Sequence, residues 1–198
     1  MGRSSQDQAI KNRSKVVQTA NKLFRRYGVD NVSVADVMKA NGMTVGGFYK
    51  QFESKDALIA EVLDLAFSES FDTWRKVGSE DKDGSTRTSD IVDYYLGKRA
   101  PEKRCPMISF APHLASENAS TESFEAYKAG TEGLFRQFIG QADDGGAAPT
   151  TAEAIDDHAM VTFAAMIGTR LLRQGLGKTE LMDAMEKAVR DYSATVIA

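Results

Sequence analysis

The chain has 198 residues, 42% of them hydrophobic and 27% charged, with a net charge of -3, one cysteine and two histidines. That length supports one large or two small domains with a proper core. A single cysteine excludes an internal disulfide, and no apolar run reaches the roughly 20 residues of a membrane span. No secretory signal opens the chain, so a cytoplasmic protein with no membrane partner is expected. The net charge hides an asymmetry: residues 1–56 hold 10 Lys/Arg against 5 Asp/Glu, a net of +5, leaving 15 against 23, a net of -8, for the rest. A basic head on an acidic body fits a nucleic-acid-binding domain joined to something else.

Residues 1–9 are polar and expected to be frayed. From Ile10 to Tyr27, Val16, Ala20, Leu23, Phe24 and Tyr27 fall on one helical stripe, ringed by Lys11, Arg13, Lys15, Lys22, Arg25 and Arg26. Each of those cations reads equally well as a solvated charge or a phosphate contact. Gly28 closes this helix. Ser33 and Asp36 stand at capping-box spacing, with Asp in the usual Glu place, and start a second helix at Val34. Asn41-Gly42 ends it with a residue suited to the left-handed conformation that a sharp reversal needs. Thr44 is placed to cap a third helix, Val45 to Lys50, with Phe48 and Phe52 turned inward. Two helices across a short glycine turn make a helix-turn-helix.

The adjacent Gly46 and Gly47 are unusual in a helix, where each costs about 1 kcal/mol relative to Ala. Their use favours close approach of backbone to a partner, and a DNA groove floor is such a partner. Thr44, Val45, Gly46 and Gly47 would face base edges, while Ser33, Tyr49, Lys50 and Lys55 would grip phosphates.

The stretch NGMTVGGFYKQFESKDAL, a turn and helix followed by an aromatic-Tyr pair, a Phe and then Ser-Lys, resembles the bacterial TetR-type one-component regulators over residues 10–65. Met38, Asn41 and Gln51 depart from the family pattern, which uses a small residue, Ala and often His at these positions. The resemblance implies an all-α fold: a three-helix head, residues 1–54, followed by a helical effector-binding and dimerisation body, residues 55–198.

Ser54 caps a long helix with two apolar stripes, Ile59, Leu63, Ala66, Phe67, Phe71 and Trp74 on one and Leu58, Val62 and Leu65 on the other. Such a helix can couple head to body. Residues 78–88 read as a loop, and residues 89–99 as a helix bearing Ile91, Tyr94 and Tyr95. Pro106 opens the next helix with Cys105 near its N-cap, and Pro112 kinks or ends it. Residues 121–139 are helical, with Phe124, Tyr127, Thr131, Leu134, Phe135 and Phe138 on one stripe; residues 141–150 form a link. Two final helices, roughly 151–174 (with Ile155) and 179–196, carry more apolar positions than one face needs and are expected to form a homodimer as a four-helix bundle.

No metal-ligand spacing, Ser/His/Asp arrangement, phosphate-binding loop or dinucleotide fingerprint occurs, so neither an enzyme nor a cofactor is expected. Trp74, Tyr94, Met107, Phe110, His113, Phe124, Tyr127, Phe163 and Met166 either fill the core or wall a cavity for the small apolar effector that the resemblance implies. Cys105, after Lys103 and Arg104 at a helix start, reads as a sensor thiol or as a small buried hydrophobe. The expected function is a ligand-responsive regulator, a repressor, binding a pseudo-palindromic duplex operator. The competing reading is a helical interaction or scaffolding module whose basic head binds something other than DNA.

Overall fold

The computed structural model describes residues 2–78, 84–116, 119–140 and 156–195. Among these residues all regular structure is helical, so the fold class is all-α. The elements are α1 (Gly2–Tyr27), α2 (Val34–Ala40), α3 (Val45–Phe48), α4 (Lys55–Val77), α5 (Gly84–Leu96), the 3-10 turn η1 (Pro101–Lys103), α6 (Pro106–Ser109), α7 (Ala111–Leu114), α8 (Thr121–Phe138), α9 (Asp157–Leu176) and α10 (Glu180–Ser193). No helix among the described residues is long and apolar enough to cross a membrane. The chain divides into two compact units, residues 1–69 with 99–131 and residues 70–98 with 132–198.

In the first unit α1 buries Val16, Val17, Ala20 and Phe24. Its stripe departs from expectation at Tyr27, whose ring is largely exposed under the Arg26 guanidinium. Residues 2–9 are helical rather than frayed: no proline interrupts them, and Gln8 donates to Asn12 one turn on at 2.9 Å. Gly28 stops the helix with φ +85°, where a side chain would be strained. The capping box is present in full: the Ser33 hydroxyl accepts from the Asp36 amide, and the Ser33 amide donates to the Asp36 carboxylate at 2.9 Å.

α4 starts under Ser54, whose hydroxyl accepts from the Ala57 amide at 3.1 Å. Leu58, Ile59, Val62, Leu63, Ala66 and Phe67 are buried in this unit, each large side chain contributing about 1.5–3 kcal/mol. Polar bonds fix α1 against α4: Arg13 pairs with Glu61, and both Asn21 (3.2 Å) and Arg25 (3.1 Å) donate to Glu69. Pro112 divides the stretch after Cys105 into α6 and α7, because its nitrogen cannot donate to a preceding turn.

The second unit is built on Trp74, whose ring stands edge-on to Tyr95 (6.1 Å) and Phe163 (6.4 Å). Phe135 and Phe138 also meet Phe163, at 5.1 and 5.4 Å. α5 begins five residues before the expected residue 89. Its Ser/Thr-rich start reads locally as loop, but burial of Ile91, Val92, Tyr95 and Leu96 carries the helix. Asp156 and Thr179 cap α9 and α10. Arg173 joins these two helices, donating to Asp183 and Glu186 at 2.7 Å each, and both carboxylates hold its guanidinium firmly in the charged form. The expected link 141–150 and Ile155 lie outside the described residues.

Candidate nucleic-acid interface

Phe48 and Phe52 point inward and stack at 5.1 Å, so the intervening turn has its other side to solvent. That outer surface holds Thr44, Val45 (42% exposed), Gly46, Tyr49 (64% exposed) and Lys50, with Gly47 half-buried behind them. Thr44 is the N-cap residue of α3, yet its hydroxyl makes no capping bond and stays available. Gly42, at φ +67°, makes the reversal between α2 and α3.

The fold itself does not require the glycine pair. A Cβ on Gly46 would meet nothing within 4 Å, and one on Gly47 would lie 3.7 Å from Met38 Cε and Thr44 Oγ1, an ordinary contact. Met38, large where the resembling family is small, is fully buried, with its methyl beside the place where residue 47 has no side chain. Asn41, the other departure, is an internal brace: it accepts from Thr19 at 3.0 Å and donates to the Val37 carbonyl at 2.9 Å, tying α2 to α1.

Two of the eight expected contacts are already engaged. The Ser33 hydroxyl bonds both the Asp36 amide (3.1 Å) and its carboxylate (2.5 Å). The bond that the Ser33 hydroxyl donates to the carboxylate and, second, the one from the Ser33 amide hold the Asp36 carboxyl below the usual carboxylate range and leave a negative charge beside the α2 N-terminus. Lys55 donates its ammonium to the Val29 carbonyl at 2.7 Å and lies over the Phe24 ring. Of the cations on α1, Arg13 and Arg25 are committed to α4.

An open groove of about 400 Å³ lies between α1 and α3, lined by Ala9, Asn12, Met43, Thr44, Gly47, Lys50 and Gln51. Sequence reading missed Ala9, Asn12, Met43 and Gln51. The positions of Ala9 and Asn12, three apart and off the buried stripe of α1, were the available signal. Gln51 donates to the Gly47 carbonyl at 3.2 Å, and its buried Oε1 has no donor among the described residues.

The expected effector-cavity residues divide between the two units. Met107, Phe110, His113, Phe124 and Tyr127 belong to the first, and Trp74, Tyr94, Phe163 and Met166 to the second. Phe124 is 50% exposed, because the inward face of α8 runs through Ser123, Gly130, Leu134 and Phe138, one position round from it. Phe110 stands edge-on to Phe24 at 6.5 Å, and the Tyr127 hydroxyl donates to the Met107 carbonyl at 2.7 Å. His113 is bonded to Asp30 rather than aimed at a cavity. Cys105 is half-buried at the N-cap of α6. Among the described residues no group of three or more His, Cys, Asp or Glu is placed to hold a metal ion.

Residues 16–62 match the family described as bacterial regulatory proteins, tetR family. The HTH-type transcriptional regulator AcrR of Shigella flexneri is 32% identical over 68 residues, 34% of this chain and 32% of that protein, so the match spans about a third of the relative's length. A TetR transcriptional regulator from Chloroflexus aurantiacus J-10-FL has a similar structure, with a TM-score of 0.73 at 20% identity over 94% of this chain and 96% of that one. E. coli NemR in its reduced form gives 0.69 at 17% identity, over 91% and 96%. At such identities the two structures establish a shared fold.

Proposed function

Because residues 16–62 match the tetR family of bacterial regulatory proteins, we propose that this chain is a regulator of that family, a ligand-responsive repressor binding a pseudo-palindromic duplex as a homodimer. Residues 1–54 would read DNA and residues 55–198 would bind effector and dimerise in the cytoplasm. The observation that carries this is the bare outer face of α3, where Gly46 is exposed and no protein atom requires its lack of a side chain. Thr44, Val45, Gly46 and Gly47 face base edges, and Tyr49 and Lys50 hold phosphates. Ser33 and Lys55, engaged internally, serve chiefly to fix the head.

Dimerisation has support in the second unit. α9 leaves Val161, Ala164, Leu171, Leu172 and Gly175 exposed, and the half-buried Gly168 between them would meet nothing within 4 Å if given a Cβ. α10 exposes Leu181, Ala184, Ala188 and Tyr192 at the same three-four spacing. An apolar stripe over two neighbouring helices is the surface from which a four-helix bundle is built. The effector is apolar and would enter among the rings around Trp74 and Phe163. It releases the operator only by binding the DNA-incompetent arrangement more tightly. Cys105, half-buried, offers a second route to release by oxidation or alkylation; equal operator release by an electrophile in wild type and Cys105→Ala would exclude it.

The deciding experiment selects bound sequences from random duplex DNA and then compares Gly46→Ala. A palindrome with half-sites about 34 Å apart is expected. Gly46→Ala should keep or raise thermal stability, by up to about 1 kcal/mol, while losing most affinity for the selected duplex. Undiminished affinity would remove the assignment of α3 to the groove and favour the scaffolding reading.

A further inference from the structure

The turn between α1 and α2 sets the entry of α2, and three side chains from distant parts of the first unit bond to residues 26–30 of this segment. Lys55 donates to the Val29 carbonyl at 2.7 Å, Arg104 to the Arg26 carbonyl at 3.3 Å, and His113 Nδ1 lies 2.7 Å from Asp30 Oδ1. Only the last involves a side chain of the turn. A carboxylate can only accept, so Nδ1 carries the proton and donates.

Neither member of this pair is explained by its immediate surroundings. His113 is 5% exposed on α7, and its Nε2 is buried with no hydrogen-bond partner among the described residues, an arrangement that an apolar residue would avoid. Asp30 puts a largely exposed negative charge on a head whose proposed partner is a polyanion. Both residues make sense if the bond between them has a use.

We propose that His113 is a positioning residue for DNA reading, clamping the α1–α2 turn through Asp30 so that α2 and α3 are held in the arrangement that fits the groove. The clamp reaches across 83 residues of sequence and makes the geometry of the head depend on α7. This rests on the DNA-reading proposal above.

Asp30→Ala and Asp30→Asn remove the same charge, but only Asn keeps a carbonyl oxygen to accept from Nδ1–H. Charge alone therefore predicts that both variants bind duplexes equally, and more tightly than wild type. The clamp predicts a difference between them. Asp30→Ala should bind the selected duplex about tenfold more weakly than Asp30→Asn, with no such gap on a scrambled duplex of equal length. Amide hydrogen exchange across residues 29–34 of the DNA-free protein should be at least several-fold faster in Asp30→Ala than in wild type and restored in Asp30→Asn. Equal affinity of the two variants for the selected duplex, or unaltered exchange in Asp30→Ala, overturns the clamp. If wild type binds no duplex, the DNA-reading proposal fails and His113 has no role in it. The exchange comparison then separately decides whether the pair holds the turn.

Discussion

At the scale of single residues, the head separates cations available to a partner from those already used. Lys50 is exposed beside the groove, whereas Lys55 holds the Val29 carbonyl. Lys50→Ala should weaken binding to all duplexes and flatten the logarithmic salt dependence by about one unit. Lys55→Ala should lower the melting temperature with little change in that slope. Binding isotherms at several salt concentrations and thermal melts check both. Asp36 gives a pH signature: its carboxyl is held low by the Ser33 hydroxyl first and the Ser33 amide second. A carboxyl depressed in the folded state contributes stability that is complete above its unfolded value, near 4, and is lost as pH falls through the lower folded value. The stability advantage of wild type over Asp36→Ala should therefore shrink in thermal melts as pH falls below about 4.

At the scale of elements, helix pairs are fitted by small residues as much as by large ones. A Cβ on Gly130 of α8 would overlap the Phe67 ring of α4, so the missing side chain is the seat of that ring. Reading the large residues alone put Phe124 on the inward stripe. The inward face instead includes Ser123 and Gly130, which periodicity of big apolar residues does not reveal. Gly130→Ala gains helix propensity, yet overpacking at a buried ring should make it net destabilising by about 1–3 kcal/mol. Denaturant melts measure this, and a stabilised variant would show that the ring can move aside. α5 gives the same lesson in reverse: its first turn is poor in helix formers, and the apolar residues further along determine that it is helical.

At the scale of the whole molecule, function is proposed to need two copies, because two-fold operators require two heads at fixed spacing. Gly168 is half-buried between the exposed apolar residues of α9, and a Cβ there would meet nothing within 4 Å, so Gly168→Arg should fold normally as a single chain while blocking helix approach between copies. Light scattering should report a monomer and the selected duplex should bind far more weakly. A dimer of unchanged mass would place the interface elsewhere.

The sequence by itself determined what depends on neighbours three or four positions away: the helix starts at Ser33 and Ser54, the reversal at Gly42, the inward pair Phe48 and Phe52, and the break at Pro112. Each is a matter of caps, dihedrals or helical period, which act within one or two turns. Only the tertiary structure decided that Lys55, Arg13 and Arg25 are spent on internal bonds, that Asn41 braces α1 and that His113 meets Asp30. These partners lie 22 to 83 residues apart. A charged or polar side chain has the same local pattern whether it faces phosphate or a carbonyl of its own chain. The difference is made by which distant group, side chain or carbonyl, the packed helices bring within hydrogen-bond reach of it.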